Sequence, residues 1–367
     1  MTRPISSRML EKQLENLAAA ELEVDLLERS PGRRVHFRRV GGWLVEERYL
    51  LGLLWDKMRG RGRPAPPRLD DRPAWSLLRG LTFSPRVSAR SHAKAMFVKT
   101  HLRAFYLEPL QFALKIGSPE ERAAIQRDVE ARTESAGVGA PAILGHRFEG
   151  DHPHLCEEWL VGAHPDPVAH AAKVVAFVVG DLWQGYRTSG FEWRSCAESH
   201  DLGSLVDRFD VMTQGVDWPS ERPARDVLRK GLLAISKDSE ALVPWCLGHG
   251  DLSVGNMIVV KGEIRLLDWE RARRLPLLQE LSKILAVIPD SWEPIQSCIL
   301  SEFEEESTPR MLPLNQQAAL ASLERLSELR TRFGATSPAD VASRRDAIRF
   351  ETRLTAELDH LSRLGLA

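Results

Sequence analysis

The stretch LGHGDLSVGNMIVVKGEIRLLDWERA, Leu247 to Ala272, sets Asp251, Asn256 and Asp268 around a short apolar run. Taken singly, each is ordinary turn chemistry, since Asp and Asn close turns with their own side chains. As a set they can do more. Asp251 lies in the glycine-flanked turn GHGDLS, where a carboxylate can stand at the mouth of a cleft. Two apolar runs flank Lys261–Gly262, the mark of a hairpin with a two-residue turn. Asn256 would open its first strand and Asp268 would end its second, so the two become neighbours. Both offer oxygen ligands, which a hard ion such as magnesium requires. Asp251 then stands ready to accept a proton. A metal that neutralises phosphate charge and a base that orients a hydroxyl are what phosphoryl transfer needs.

The elements that must hold these residues can be read around them. Residues 7–30 have helical spacing, with Leu10, Leu14, Leu17 and Ala18 on one face. Gly42–Met58 reads as a second, strongly apolar helix, and Arg59–Pro73, rich in Arg, Pro and Gly, as a linker or exposed loop. GLTFSPRVSAR, AKAMFVKTHL and LQFALKIG read as three antiparallel strands. Ser118–Ser135 follows as a helix, with Ser118 in a capping position and Pro119 in its first turn. GVGAPAILGHRF and HLCEEWLVG read as two further strands. From residue 161 the chain reads as mostly helical apart from the hairpin, with core-facing helices in the tail from Pro313 to Ala367. The reading divides the chain into 1–80, a helical extension; 81–160, strands with one helix; and 161–367, helices that carry the loop.

HGDLSVGN resembles, in its polar residues, the HGDxxxxN loop of the aminoglycoside phosphotransferase and choline kinase superfamily, and LLDWE resembles that family's I/LDWE segment. The resemblance covers roughly residues 81–290. It implies an α+β, two-lobed protein-kinase-like fold, with an antiparallel-sheet N-lobe and a mainly helical C-lobe. It implies ATP (or GTP) and Mg2+ as cofactors. It implies a phosphate-binding lysine on the third strand, for which FALKIG offers Lys115, and an acid on the next helix, for which RDVEAR offers Asp128 or Glu130. A hinge at Glu158, Trp159 and Leu160 would pair with the purine. The phosphate-covering loop falls on SPRVSARSHAK, where Ser88 and Ser91 stand in a stretch with no glycine. His249 is given a bracing role. Gly250, where protein kinases usually have arginine, favours a small-molecule kinase over a protein kinase, as does the lack of an APE-like segment after Asp268.

Composition bounds the partners. Of 367 residues, 50 are basic and 51 acidic, a formal net charge of −1 that gives no reason to expect nucleic acid. Four separated cysteines without a CxxC pattern fit a reduced cytoplasmic protein. The most apolar run, Val174–Gly180, falls far short of the ~20 residues a membrane span needs. The function expected is transfer of the γ-phosphate of ATP (or GTP) to a hydroxyl of a small molecule: a sugar, an amino sugar or aminoglycoside, or an amino alcohol. The alternative is a nucleotide-binding pseudokinase or scaffold acting through residues 1–80. The acceptor and the oligomeric state are not written in the sequence.

Overall fold

The structure is a computed structural model that describes residues 14–15, 17–21, 34–40, 43–59, 61, 72–84, 86–98, 102–106, 112–135, 138–213, 225–303 and 310–333. Along the first half run β1 (Arg34–Val40), β2 (Trp43–Glu46), α1 (Glu47–Met58), α2 (Ala74–Phe83), β3 (Arg86–Arg90), β4 (Ala95–Val98), β5 (Leu102–Tyr106), β6 (Phe112–Ile116), α3 (Arg122–Glu134), β7 (Ile143–Arg147) and β8 (His154–Glu158). The second half has α4 (Ala171–Phe177), α5 (Trp183–Ser189), β9 (Glu192–Ser195), α6 (Leu205–Thr213), α7 (Arg225–Ser236), β10 (Leu242–Gly248), β11 (Met257–Val260), β12 (Glu263–Leu266), β13 (Arg273–Pro276), α8 (Leu277–Val287), α9 (Trp292–Phe303) and α10 (Leu314–Phe333). The chain forms two compact units. The first contains Met1–Thr133, Gly139–His164 and Met257–Arg271; the second contains Glu134–Val138, Pro165–Asn256 and Ala272–Ala367.

An eight-stranded antiparallel sheet builds the first unit, in the order β3-β1-β2-β4-β5-β6-β8-β7. This corrects the reading of residues 1–80 as a helical extension, because β1 and β2 are interior strands of that sheet. In β1, RVHFRRV alternates over its first four residues, and Val35, Phe37 and Val40 are buried. Val40 pairs with Trp43, so only Gly41 and Gly42 connect the two strands, a composition suited to a hairpin turn. The single helix expected over Gly42–Met58 is instead β2 followed by α1. All four residues of β2 are buried, so they show no alternation to distinguish a strand from the start of a helix. GLTF, read as strand, lies at the end of α2. The hairpin β11–β12 groups with this unit, outside the 161–367 division that the sequence suggested.

Much of the expected helix over residues 7–30 lies outside the described residues, but residues 14–15 and 17–21 are helical. Leu14, Leu17 and Ala20 join the core that Phe37, Leu44, Met96, Phe112 and Leu114 form on the sheet. Buried Glu21 accepts from the Ser91 hydroxyl at 2.7 Å, the Tyr106 hydroxyl at 2.8 Å and the His92 amide at 3.1 Å. A carboxylate this deep stays in place because three donors replace the water it lost. On α3 the expected Ser118 cap is present and forms a capping box with Glu121.

The second unit is helical, with a three-stranded sheet in the order β13-β10-β9 that the sequence reading did not contain. Its edge strands are four residues each, Glu192–Ser195 and Arg273–Pro276, and their partner β10 is distant in sequence. Strands that short carry little periodicity. Of the expected tail helices, α10 covers Leu314–Phe333, and the remainder lies outside the described residues. Among the described residues no helix is long and apolar enough to cross a membrane.

Candidate active site

Lys115 lies on the interior strand β6 and is 1% exposed. Its ammonium bonds Asp128 of α3 and Glu270, which follows the hairpin, at 2.9 Å each. The network continues: Arg132, one turn after Asp128, bonds Asp128 and Glu157 of β8 at 2.6 Å each. Removing charges from water is costly, so buried ions persist only when paired and hydrogen bonded. Burial acts to lower the Arg132 pKa, and the Glu157 and Asp128 carboxylates outweigh it, so the guanidinium is held above its ordinary value. The choice between Asp128 and Glu130 is thereby decided. Asp128 is the acid that meets Lys115, and Glu130 is exposed and bonded to Gln126.

Ser88 and Ser91 are not brought to this lysine. Ser88 is in β3, opposite His36 of β1. Counting β3-β1-β2-β4-β5-β6 gives five strand spacings, or roughly 24 Å along the sheet. Ser91 follows β3, is buried, and spends its hydroxyl on Glu21. At the expected hinge, the Glu158 amide already donates to the Ala142 carbonyl at 2.9 Å. Trp159 and Leu160 are both buried.

The hairpin forms as its sequence suggests. Lys261 and Gly262 both have positive φ, 50° and 92°, as a two-residue turn of this kind needs. It is tied to residues 139–164 on both strands. The Val259 amide donates to Ala163, the Leu266 amide to Gly139, and Arg265 to the Gly139 and Ala140 carbonyls. Asp268 comes two residues after β12 with φ 68°, a left-handed conformation in which Asp is among the tolerated residues. Trp269 is 1% exposed, in keeping with a packing role. Asn256 ends a short 3-10 turn just before β11.

In the second unit the loop after β10 is held from several sides. The Glu280 carboxylate on α8 accepts from the His249 amide at 2.8 Å and the Gly250 amide at 3.0 Å. The Asp251 amide donates to His249 Nδ1 at 3.3 Å, the bracing expected of that histidine. Asn256 Nδ2 donates to the Asp251 carbonyl at 2.8 Å, which leaves its amide oxygen to offer a cation. Lys283, three residues after Glu280 on α8, bonds Asp251 Oδ1 at 2.5 Å. Burial pushes the Glu280 carboxyl up to about 7, and the neighbouring Asp251 carboxylate also raises it, against the two amides and Lys283.

Sequence reasoning missed Glu270, Arg132, Glu157, Glu280 and Lys283. The one available signal was in PLLQELSKIL, where Glu280 interrupts an apolar helix face. A buried acid at such a position needs partners.

Residues 187–329 match the phosphotransferase enzyme family. The match covers the HGDLSVGN loop and the LLDWE segment, the two stretches that resemble the aminoglycoside phosphotransferase and choline kinase superfamily. Over those residues the chain's similarity is to phosphotransferase enzymes. No curated protein matches the chain. Among solved structures, an aminoglycoside phosphotransferase from Alicyclobacillus acidocaldarius is similar at 16% identity and TM-score 0.44, over 74% of this chain and 92% of that one. Choline kinase LicA from Streptococcus pneumoniae is similar at 14% identity and TM-score 0.41, over 71% and 90%. A putative fructosamine-3-kinase from Haemophilus somnus is similar at 11% identity and TM-score 0.39, over 71% and 88%.

Proposed function

We propose that this kinase moves the γ-phosphate of ATP (or GTP) to a hydroxyl of a sugar, an amino sugar or aminoglycoside, or an amino alcohol, with Asp251 as the base. The observation that carries this reading is the fixing of Asp251 at a braced turn, its backbone tied by Asn256 and by His249, whose own amide is held by Glu280. A positioned base is typically worth 10²–10⁴-fold in rate. Lys115, oriented by Asp128, would hold the nucleotide phosphates, and the backbone from Glu158 to Leu160 the purine. Ser88 and Ser91, placed as they are, are not assigned to the phosphates.

Asn256 and Asp268 are proposed as the magnesium ligands. Among the described residues no three His, Cys, Asp or Glu side chains gather as a metal site. Two oxygen ligands nevertheless suit magnesium, which keeps several waters and takes the rest of its shell from substrate phosphates. When bound, the ion would neutralise charge on the transferred phosphoryl group. A cytoplasmic setting is proposed because all four cysteines are unpaired thiols.

The scaffold alternative assumed that residues 1–80 form a module of their own. That β1 and β2 are interior strands of the sheet supports the enzyme reading over it. The test is a panel of aminoglycosides, sugars and amino alcohols assayed for ATP or GTP consumption, with phosphorus NMR of each product. A phosphate monoester on one acceptor is expected. Nucleotide binding without turnover on any acceptor would favour the scaffold.

A further inference from the structure

Bracing a loop backbone does not fix the side chain that does the chemistry. Glu280, His249 and Asn256 secure residues 249–251 through main-chain groups. The side chain of Asp251 is met by Lys283, which is placed to set its two torsions. Its ammonium meets Oδ1 of Asp251, and both side chains are about one-third exposed. The pair borders a depression also lined by Arg273, Gln279 and Glu328. Glu280 and Lys283 are three residues apart on α8, so they share a face of that helix. One helix therefore grips the loop twice, by its backbone and by its functional carboxylate.

We propose that Lys283 is a positioning residue for phosphoryl transfer, which pins Oδ1 of Asp251 so that Oδ2 is presented to the acceptor hydroxyl. The inference rests on the reading of Asp251 as the base. In the step it serves, the hydroxyl proton passes to Oδ2 while the acceptor oxygen bonds to the γ-phosphorus. The bond from that phosphorus to the bridging oxygen breaks, and the nucleoside diphosphate leaves with the electron pair. Lys283 keeps its proton throughout. An ion pair near the surface contributes little to stability, so the value of this one lies in geometry. A misplacement of about 1 Å at a reacting group can cost 10²-fold.

The test is a double-mutant cycle with Lys283→Gln, Lys283→Arg, Asp251→Asn and Lys283→Gln combined with Asp251→Asn. Turnover is measured with the acceptor that the panel returns, or with water in its place as the slow hydrolysis of Mg-ATP. Lys283→Gln is expected to lower kcat by about 10²-fold with the KM for ATP unchanged. Lys283→Arg, which keeps the charge, is expected to recover most of the loss. In the Asp251→Asn background, Lys283→Gln is expected to cost nothing further. The same fold-loss in both backgrounds overturns the proposal, as does a raised KM with kcat retained, or no recovery by Lys283→Arg. If Asp251→Asn keeps more than about a tenth of the activity, the base reading fails first. A wild-type protein that consumes no ATP with any acceptor or water overturns both.

Discussion

Lys115 and Asp251 are proposed for the two main tasks of transfer, and their surroundings differ in a way that separates their variants. Asp251 is about one-third exposed in a turn, so Asp251→Asn removes a proton acceptor without leaving a buried ion unpaired. Turnover should fall by roughly 10²–10⁴-fold while nucleotide binding, measured by calorimetry, holds. Lys115→Met is different, because the lysine is buried between Asp128 and Glu270. Breaking a buried pair usually costs about 3–5 kcal/mol, since a carboxylate is left uncompensated. Arg132 still bonds Asp128, so the loss should lie at or below the low end of that range. ATP binding should weaken, whereas adenosine, which has no phosphates, should bind as before. Equal loss of both ligands would point to a folding defect instead. Reading the sequence found Lys115 and left two acids open, because Asp128 and Glu130 lie only two residues apart. Geometry separates them, since α3 turns Asp128 inward and Glu130 out. Glu270 was out of reach for another reason. Its bond to Lys115 spans 155 positions, and no local pattern marks such a contact.

Helix α8 holds the loop at His249 and Gly250, and the hairpin is tied to residues 139–164; each has its own test. Burial holds the Glu280 carboxyl at about 7, against an ordinary value of 4.5. Below about pH 4.5 the folded and unfolded chains both keep this proton, and its contribution to stability is fully present. Between 4.5 and 7 only the folded chain keeps it, so stability falls as pH rises, by up to about 3 kcal/mol in all. Glu280→Gln has no such proton, so denaturant unfolding at pH 5 and pH 8 should show a smaller loss in the variant than in the wild type. Equal losses would mean that Glu280 does not titrate in this window. On the hairpin, a Cβ added at Gly162 would lie 2.1 Å from the Val259 carbonyl oxygen, a backbone atom. Gly162→Ala should therefore push β11 off the bond between Val259 and Ala163, at a cost of roughly 2–3 kcal/mol in thermal or denaturant unfolding. A variant as stable as the wild type would show that this contact can relax. The hairpin was legible because Lys261–Gly262 sits between two apolar runs, a local signal. The role of α8 was less so. Its apolar face announces a helix, but only the fold shows which loop the two polar residues reach.

At the scale of the whole molecule, the question is what residues 1–80 are for. Their tryptophans and leucines read as an apolar helix too rich in such residues to leave in water, expected to pack on the rest of the chain. β1 and β2 stand between β3 and β4 in one sheet. Trp43, Val45, Leu50, Leu53 and Leu77 fall in one buried cluster with Ala95, Ala113 and Trp159. Deleting 1–80 would thus remove two interior strands and most of that core. It would also expose the edge of β4 beside the strands that carry Lys115. An uncovered apolar edge is a pairing site for other chains, so the truncated protein is expected in the insoluble fraction. A shorter deletion, residues 1–33, removes Leu14, Leu17 and Ala20 from the core, and takes Glu21 away from Ser91, His92 and Tyr106. It keeps all eight strands. That protein is expected to stay soluble and to bind Mg-ATP, with a lowered Tm, because Lys115, Asp128 and Asp251 keep their partners. The pair of truncations distinguishes sheet strands from a dispensable module. If the protein lacking 1–80 is soluble, monomeric and binds Mg-ATP as the full chain does, β1 and β2 are accessories to a complete kinase core, and the first 80 residues become a module with a partner of its own.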